Sequence, residues 1–481
     1  MKKLTTLVLI VALMVSCKPE AKVTCLISGN VKNATDKELK LTVGTKVDTL
    51  KLNADGTFSK EISVTKPCDA VLQGTKLYAS LYLAPGKNLA ITVDGLDFNK
   101  DLAFTGTLAA ENEYIVKKGE GEQKSQQALN GAYRSPSTPA DFKRMRDSIR
   151  LADLDFLGKY TSDKGKLDPA FVELQKTVIQ FGYYGDMNNY PMMAGYYNTD
   201  KPVTPADWYS FLDGVILDNP ALLDIAEAKY FITSYVSNQA IKISGVPQEK
   251  SYNNPEVGKA TFKYLLDNFK NPEFFNMLAF ASLKGTIDSE GPNGLDEMIS
   301  LYMSRSTDEA NKKALQEMIA GWATMAPGQP APVFNLPDIN GKMVSLTDFA
   351  GKYVFIDYWA TWCGPCKAEI PAYKKLIEDY KNKNIVFISI SVDKDKAAWE
   401  KMVKEGIPEV DPETGKPAVP AKMIQMTWIQ LHDAVKYNKI WLVKYIPTFV
   451  LIDTKGKIVN ARAARPSNPE LRGVIDQLEG I

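Results

Sequence analysis

The sequence predicts a multidomain protein with an N-terminal β-sandwich, a central mostly α-helical region and a C-terminal α/β domain. Three observations carry this prediction. Residues 22–108 form short β-type runs separated by turn signals, residues 109–325 show helical periodicity, and residues 326–481 alternate strands with helices. The chain of 481 residues is long enough for about three domains of ordinary size.

The composition excludes several classes of protein. A formal net charge of +1 gives no electrostatic case for a nucleic-acid partner. Five cysteines in 481 residues are too few for a disulfide-rich scaffold. The apolar content of 45% is ordinary, so the chain is expected to build hydrophobic cores of the usual kind.

Residues 1–17 are predicted to be a targeting segment. Two lysines follow the initial Met, and the apolar stretch 4–15 is shorter than the roughly 20 residues that span a bilayer. The end of the segment, Ser16-Cys17, resembles a bacterial lipoprotein cleavage site, although Met14 stands where such sites usually have Leu. The resemblance implies that Cys17 becomes the lipidated N-terminus of the mature chain. The alternative is an ordinary signal peptide with an incidental Cys17, and either reading takes the chain out of the cytosol.

Residues 22–108 contain about seven short runs rich in β-forming residues, which is the pattern of a β-sandwich. Turn signals such as Ala54-Asp55-Gly56 separate the runs, and no catalytic constellation appears among them. Cys25 and Cys68 leave two alternatives open. An oxidising compartment permits a disulfide, but spacing alone does not bring their Cα atoms within reach, so two buried, unpaired thiols are slightly favoured.

Residues 109–325 show helical periodicity without a fixed repeat, which gives no support for a solenoid. Helices are predicted at residues 142–160, 170–181, 207–217, 221–236, 255–269, 272–281 and 309–322. The polar stretch 121–139 is predicted to be a loop. The aromatic residues between Phe181 and Tyr197 could form a peptide-binding surface, but a hydrophobic core is the better-supported interpretation.

The segment 323–332 is rich in Pro and Gly, which predicts a linker ahead of the C-terminal domain. Beyond it, Asn340-Gly341 predicts a hairpin. Strands are predicted at residues 353–359, 385–392, 428–431, 448–453 and 457–462, helices after Cys363 and at 396–405 and 468–478, and an inserted loop at 406–420. This alternation predicts helices layered on a central sheet.

The motif Cys363-Gly364-Pro365-Cys366 lies where a predicted strand ends and a predicted helix begins. A helix start stabilises a thiolate, so Cys363, first in the motif and nearest the exposed turn, is predicted to be the attacking residue. Cys366, one turn later, can then attack the mixed disulfide. Pro365 stiffens the first turn at no cost in hydrogen bonding. A zinc site would need a second ligand pair, which the other cysteines and the single His432 do not supply, so no metal is expected.

Several separated motifs in residues 326–481 resemble the thioredoxin superfamily, and within it the ResA/TlpA-like envelope branch. The matching residues are Pro327-Gly-Gln-Pro-Ala-Pro332, Gly341-Lys-Met-Val-Ser-Leu346, Phe355-Ile-Asp-Tyr-Trp359, Trp362-Cys-Gly-Pro-Cys366, Glu369-Ile-Pro371 and Ile446-Pro-Thr448. The resemblance implies a thioredoxin-like fold for this third of the chain. Residues 22–108 resemble the small all-β domain that often precedes such modules in envelope lipoproteins.

The resemblance also implies roles for two acidic residues. Asp357, six residues before Cys363, would take the proton of Cys366, with a pKa raised by burial. The alternative for Asp357 is a strand residue satisfied by hydrogen bonds. Glu369 would tune the site, and its alternative is a solvated helix residue.

Other residues around the motif take supporting roles by resemblance. Ile446-Pro447-Thr448 would form a cis-proline loop that faces the dithiol and pairs with an extended substrate segment. Trp362 would flank the cysteines, and Lys367 would add positive potential. His432 matches no catalytic position and is expected to be an ordinary packed or surface residue.

These features predict a membrane-tethered thiol–disulfide oxidoreductase. A reductase of protein disulfides is favoured because Gly364-Pro365 resembles the strongly reducing thioredoxins. Its expected partners are a protein disulfide or dithiol, an upstream electron donor in the membrane, and the membrane itself through the lipid on Cys17; neither a cofactor nor a nucleic acid is expected. The expected location is the bacterial cell envelope, with the redox domain in the periplasm or at the cell surface.

Two other functions compete with this one. The first is a thiol peroxidase, because residues 333–351 also resemble the opening of peroxiredoxins. That family needs Thr or Ser three residues before its attacking Cys, where this chain has Ala360. The second is an envelope binding or scaffold protein in which residues 22–325 supply the function and the redox domain is accessory.

Overall fold

The computed structural model of the chain describes residues 24–44, 46–97, 101–134, 138–163, 167–197, 203–248, 251–408, 423–434 and 436–481. The chain forms two compact units, Met1–Tyr235 and Val236–Ile481, whose boundary lies inside one helix, α4. The predicted targeting segment with Cys17 and most of the predicted loop 406–420 lie outside the described residues.

The first unit begins with eight described strands in two four-stranded sheets. They are β1 (Thr24–Lys32), β2 (Glu38–Val43), β3 (Lys46–Lys51), β4 (Thr57–Ser63), β5 (Cys68–Gln73), β6 (Tyr78–Leu83), β7 (Asn88–Asp94) and β8 (Ala103–Thr105). The sheet orders are β4-β1-β7-β8 and β3-β2-β5-β6, and the only parallel pair in them is β1 with β7. Alternation drives burial: in β2, Leu39 and Leu41 are buried while Glu38 and Lys40 are exposed. The predicted β-rich region is confirmed, and its description as a sandwich stays a prediction.

Cys25 lies on β1 and Cys68 on β5, and both thiols are unpaired. Cys25 is fully buried, whereas Cys68 is only partly so. Burial raises the pKa of both thiols, that of Cys68 to about 11. Both thiols are therefore protonated and poorly nucleophilic at neutral pH.

Three long helices follow the strands of the first unit: α1 (Ala109–Arg134), α2 (Pro139–Asp163) and α3 (Pro169–Tyr197). The predicted loop at 121–139 is wrong, since its first 14 residues are the second half of α1. That half is polar but rich in the helix formers Glu, Gln, Lys and Ala, and it buries only Leu129 and Tyr133, spaced i, i+4. Polarity there reflects an exposed helix rather than a loop.

Most of the aromatic residues of α3 are buried in a hydrophobic core and do not lie at the surface. Phe181, Tyr183 and Tyr184 are buried, while Tyr196 near the helix end is 81% exposed. α3 continues through Pro191, so it is much longer than the predicted 170–181. The predicted helix 207–217 is reduced to a 3-10 segment, Trp208–Leu212, which ends ahead of Gly214 at φ 77°.

The second unit opens with helices: the remainder of α4 (Ala226–Ser244), then α5 (Pro255–Asn268), α6 (Pro272–Glu290), α7 (Asp296–Arg305) and α8 (Glu309–Ala323). Asn254 and Asn271 cap α5 and α6 by accepting hydrogen bonds from the amides of Glu256 and Glu273. Each Asn is followed by a Pro in the first helical turn, so an Asn-Pro pair fixes both starts. The sequence did not predict α7.

The C-terminal part has a five-stranded sheet of order β15-β12-β11-β16-β17. The elements are β9 (Asn335–Pro337), β10 (Met343–Ser345), β11 (Tyr353–Trp359), α9 (Gly364–Asp379), β12 (Ile385–Ser391), α10 (Lys396–Glu405), β13 (Ile407–Pro408), β14 (Met423–Ile424), β15 (Ile429–His432), β16 (Thr448–Ile452), β17 (Ile458–Ala463) and α11 (Glu470–Asp476). β11, β12 and β15 run parallel, and β16 and β17 are antiparallel to their neighbours. Parallel β11 and β12 bring their carboxyl ends to one edge of the sheet, and the cysteine motif follows β11 there.

Within the described ranges, none of the helices combines the length and apolarity that crossing a membrane would require.

Candidate active site

The dithiol lies where the fully buried strand β11 gives way to α9. Cys363 is the N-cap of α9, and the amide of Cys366 donates a hydrogen bond to its Sγ at 3.1 Å. The two cysteines are joined as a disulfide with their Cα atoms 5.3 Å apart. Once the disulfide is reduced, this amide and the helix N-terminus stabilise negative charge on the Cys363 sulfur.

Exposure does not distinguish the two cysteines. Cys363 is 4% exposed and Cys366 3% exposed, although Cys363 lies between the exposed residues Trp362 and Gly364 of the turn. The amide contact, which only Cys363 receives, is what separates them. Trp362 beside the motif is 69% exposed and provides a large apolar surface next to the dithiol.

The loop before β16 faces the dithiol as predicted. The Ile446–Pro447 peptide bond is cis, and the carbonyl oxygen of Ile446 lies 3.8 Å from Cys363 Sγ. Ile446 also packs against the apolar cluster that contains both cysteines. A substrate that reaches Cys363 must therefore pass beside this loop.

Asp357 occupies the face of β11 that α9 covers. Its same-face neighbours on the strand show this: Phe355 packs on Tyr373 of α9, and Trp359 shares a cluster with Cys366. The carboxylate is 4% exposed and accepts a hydrogen bond from Ser389 Oγ at 3.0 Å. Burial raises its pKa to about 7, with a smaller contribution from the charge of Glu369. A carboxyl that titrates near neutrality can accept and return a proton.

Glu369 is buried on α9, so the alternative of a solvated helix residue is wrong. Its carboxylate accepts hydrogen bonds from the backbone N–H and the hydroxyl of Ser467 at 3.0 and 2.8 Å. The guanidinium of Arg465 lies 3.9 Å away. Because its charge raises the pKa of Asp357, Glu369 is placed to tune that acid.

The C-terminal part of the chain is similar to known proteins. A model of the AhpC/TSA family matches residues 327–461. The thiol-disulfide oxidoreductase ResA of Bacillus cereus is 28% identical over 163 residues, which are 34% of this chain and 84% of that protein. ResA of Bacillus subtilis is 32% identical over 142 residues, which are 30% of this chain and 70% of that protein. The chain belongs to the ResA-like thiol–disulfide oxidoreductases. A solved structure of a thiol-disulfide oxidoreductase from Bacteroides fragilis is 29% identical to this chain, with a TM-score of 0.24. The matched part covers 31% of this chain and 98% of the chain in that structure.

In this ResA-like protein, sequence reasoning missed one residue that holds the active-site turn. Asp393, which follows β12, is 4% exposed and accepts hydrogen bonds from the Thr361 amide at 3.0 Å and the Thr361 hydroxyl at 2.8 Å. Ser391 donates to the same carboxylate at 2.7 Å. The signal was present: Ser391-Val392-Asp393 ends a strand parallel to β11, so its side chains meet the turn after β11.

Two further groups complete the surroundings of the oxidoreductase site. Trp428 donates its indole N–H to Ser389 Oγ at 2.8 Å and so orders the partner of Asp357. His432 is buried, contacts the Asp393 carbonyl oxygen through Nε2 at 2.9 Å and packs against the ring of Trp399, with the ring centroids 5.1 Å apart. Of the two alternatives that the sequence left open for His432, a packed residue or a surface residue, the structure shows the packed one.

Among the residues that the structure describes, no group of three or more His, Cys, Asp or Glu side chains could hold a metal ion. The arrangement brings together two sulfurs at the start of α9 and, on the strand before them, a buried carboxyl whose pKa is about 7. These are the groups that thiol–disulfide exchange requires.

Proposed function

We propose that this chain is a membrane-tethered reductase of protein disulfides in the bacterial cell envelope. The observation that carries the proposal is the hydrogen bond from the Cys366 amide to Cys363 Sγ at the start of α9, because it selects one sulfur as the stable thiolate. Gly364 and Pro365 between the cysteines, as in strongly reducing thioredoxins, favour the reducing direction.

The proposed reaction transfers two electrons from the dithiol to the substrate. The Cys363 thiolate attacks one sulfur of the substrate disulfide, forms a mixed disulfide and releases the other substrate sulfur as a thiolate. Cys366 then gives its proton to Asp357 and attacks Cys363 Sγ. This second attack forms the Cys363–Cys366 disulfide and releases the second substrate sulfur, so the substrate ends as a dithiol.

Trapping the intermediate tests the reaction. In cells, Cys366→Ser should accumulate mixed disulfides through Cys363, since the resolving sulfur is gone. Cys363→Ser is the matched control, and it should accumulate far fewer because Cys366 lacks the amide contact. Equal trapping by the two variants would contradict the assignment of Cys363 as nucleophile.

The direction of electron flow is tested by the reduction potential of the purified protein. We expect a value near the about −270 mV of thioredoxin, which makes the dithiol a reductant of most disulfides. A value near the about −120 mV of DsbA would make the protein an oxidant instead.

The proposed tether is a lipid on Cys17, which follows an apolar segment and a small residue. Electrons would then reach the dithiol from a donor in the same membrane. The mature protein should begin at Cys17 and partition with membranes, and Cys17→Ala should stop lipid labelling. Persistent lipid incorporation in that variant would show that the anchor lies elsewhere.

A peroxide assay on the purified protein and the cellular role of the Cys363→Ser variant test the two competing functions. A thiol peroxidase would consume peroxide with a thiol reductant, but the nearest hydroxyl before Cys363, that of Thr361, already donates to Asp393. A scaffold with an accessory redox domain would keep its cellular role in Cys363→Ser. We expect no peroxide consumption, and loss of the cellular role in that variant.

A further inference from the structure

A cleft lies between the helices α1, α2 and α3 and the start of α4, entirely within the first unit. Its volume is about 440 Å³, which falls within the range of about 300–1,000 Å³ typical of sites for small molecules. The wall is rich in charge of both signs. The charged side chains along it are Lys118, Glu122, Arg146, Asp153, Asp186 and Glu227.

A glycine in the wall of the cleft leaves space beside α3. Gly182 lies inside this helix, and a Cβ atom added there would meet no other heavy atom within 4 Å. Glycine is unfavourable inside a helix, so helix formation does not explain its presence. Since Gly182 lines the cleft, a side chain at this position would project into space that a ligand can occupy.

Arg146 of α2 provides the buried positive charge of the cleft, since it is only 5% exposed. Its Nε lies 2.8 Å from Asp186 Oδ2, but the direction of the N–H makes no hydrogen bond there, so Nε has no acceptor among the described residues. The guanidinium also lies 5.8 Å from the ring centroid of Tyr183. Buried polar groups are normally hydrogen-bonded, and a guanidinium has five N–H donors to satisfy. Arg146 is therefore placed to receive a carboxylate, whose geometry matches its own.

Two carboxylates of the cleft have no cationic partner in the part of the chain that the structure describes. The other two form ion pairs with Lys118 and Arg146, whereas Asp153 and Glu227 do not. Glu227 Oε2 is buried and has no hydrogen-bond partner among the described residues. Burial raises the pKa of Asp153 more than the nearby cations lower it. These two carboxylates require donors that carry positive charge, which ammonium groups supply.

The balance of charge decides between classes of ligand. The lining contains two cationic and four acidic side chains, so negative charge is in excess when all are ionised. An anionic ligand would increase this excess, and a simple diamine would leave Arg146 without an acceptor. An amino acid with a cationic side chain carries one carboxylate and two cationic groups, which matches one guanidinium and two unpaired carboxylates.

We propose that this cleft binds a free basic amino acid, with the ligand carboxylate on Arg146 and its cationic groups against Asp153 and Glu227. Binding there requires no reaction at the dithiol, so it is independent of the proposed function. It gives the helices of the first unit a ligand of their own.

Isothermal titration calorimetry on the full chain tests this binding with a matched set of ligands. L-Lysine carries a carboxylate and two ammonium groups, cadaverine lacks only the carboxylate, and L-norleucine lacks only the side-chain ammonium. Nα-acetyl-L-lysine keeps the carboxylate and the side-chain ammonium and so imitates the C-terminal residue of a peptide. We expect L-lysine to bind at least about tenfold more tightly than each of the other three, because each missing group leaves a charged group of the cleft unpaired.

Two substitutions separate the contributions of the two signs of charge. Arg146→Met should weaken the binding of L-lysine by about tenfold and that of cadaverine not at all, since only L-lysine has the carboxylate. Glu227→Gln should weaken L-lysine and cadaverine by the same factor, because both carry the ammonium groups. Glu120→Gln makes the same change of charge at an exposed position of α1 outside the lining of the cleft, and it should alter neither affinity.

A cleft-filling variant keeps the test decisive if Arg146→Met does not fold. Gly182→Leu places a side chain in the empty space and removes an unfavourable glycine from α3, so it should fold and weaken L-lysine binding by at least about tenfold. Gly158→Leu is the matched control, since it makes the same change at an exposed position of α2 and should bind L-lysine like the wild type.

Three results would overturn the assignment. The first is no binding of L-lysine at millimolar concentration. The second is L-lysine binding that Gly182→Leu leaves unchanged, because the ligand would then lie elsewhere. The third is binding of cadaverine, L-norleucine or Nα-acetyl-L-lysine as tight as that of L-lysine, because the set of three charged groups would then not be what the cleft recognises. Thermal unfolding of each variant distinguishes loss of binding from loss of the fold, and none of these results bears on the dithiol.

Discussion

In the proposed reaction, Asp357 takes the proton of Cys366, so its environment bears on the second half of that reaction. The sequence located it, because a carboxylate six residues before the motif on an apolar strand needs a partner or a function. Its pKa of about 7 could not be predicted, since that value depends on the cover provided by α9 and on the charge of Glu369. Ser389, which donates to the carboxylate, and Trp428, which donates to Ser389, were not identified because residues from other parts of the chain meet Asp357 only in the folded sheet.

Asp357→Asn should slow the decay of the mixed disulfide by up to about 10²–10⁴-fold and largely spare its formation. Cys363 is activated by the helix start and needs no carboxylate, whereas Cys366 has to lose its proton. In the wild type the decay should accelerate as pH rises through about 7, because Asp357 is then ionised. In the Asp357→Asn variant, the decay should not accelerate over this pH range.

Single-turnover kinetics that follow formation and decay separately provide the measurement. Asp379→Asn, at the far end of α9, makes the same change of charge away from the dithiol and is the control. Unchanged decay in folded Asp357→Asn would make this carboxyl a structural residue.

The same carboxyl also affects stability. Its folded pKa of about 7 exceeds the unfolded value of about 3.9, so the folded chain binds more protons between these pH values. The free energy of unfolding should therefore fall as pH rises from about 4 to 7, and it should stay low above that range. Asp357→Asn should remove this slope and stabilise the oxidised protein by roughly 2–4 kcal/mol at pH 8. Urea unfolding at pH 5 and pH 8 checks the sign, and a variant less stable at pH 8 than the wild type would refute it.

At the scale of elements, the turn between β11 and α9 depends on a side chain from the next strand. Asp393→Ala leaves the Thr361 amide, the Thr361 hydroxyl and the Ser391 hydroxyl without their acceptor. Buried donors left unpaired cost about 1–3 kcal/mol each, partly relieved by water, so we expect a loss of roughly 2–4 kcal/mol. The turn should also loosen, and alkylation of reduced Cys363 should change in rate.

Asp395→Ala is the matched control for Asp393→Ala. Asp395 caps α10 by accepting from the Ala398 amide, so its loss costs about 0.5–2 kcal/mol without touching the turn. Denaturant unfolding and iodoacetamide kinetics on both variants separate a general loss of stability from a local effect. Equal alkylation rates in the two would show that Asp393 stabilises the unit but does not position Cys363.

Elements were predictable where a local signal agreed with burial. Helix α10 matches its prediction, because Asp395 caps its start and Gly406 follows its end. The second half of α1 was not predicted, since its apolar residues are too sparse to show a period. A Pro inside a helix is locally unfavourable, yet α3 continues through Pro191. Packing outweighs the local propensity here, because Tyr190 and Ala194 on either side of Pro191 are buried.

At the scale of the molecule, the positions where the composition of the sequence changes are not the positions where the compact units begin and end. Strands β1 to β8 share one hydrophobic core with α1, α2 and α3, through residues such as Tyr114, Leu157 and Phe171. The Pro-rich segment before β9 reads as a linker, yet its Gly328 and Ala331 amides donate to the carbonyl oxygens of Ile458 and Gly456. Such pairing joins residues more than 100 positions apart, which local sequence patterns do not encode. The predicted boundaries at 108 and 325 thus describe changes of secondary structure, and as folding domains they stay predictions.

Arg462 gives the clearest test of how the helices of the second unit are joined to its sheet. Its three hydrogen-bonding nitrogens donate to the carbonyl oxygens of Ser289, Leu442 and Ala461, and its plane lies over Trp322. Arg462→Ala leaves the first two carbonyls without their donor in a partly dry site and removes the stacking on the indole. We expect the free energy of unfolding to fall by roughly 2–4 kcal/mol.

For a unit of this size, such a loss lowers Tm by about 2–4 °C per kcal/mol. Arg462→Lys should be nearly as damaging, because one ammonium group on a flexible stem cannot reach the two separated carbonyls and cover the ring together. Arg465→Ala, three residues along, is the control, since that side chain is exposed and its carboxylate partner lies 3.9 Å away. Calorimetry of the three variants against the wild type gives the comparison. If Arg462→Ala unfolds like Arg465→Ala, the joint between the helices and the sheet of this unit rests on apolar contact alone.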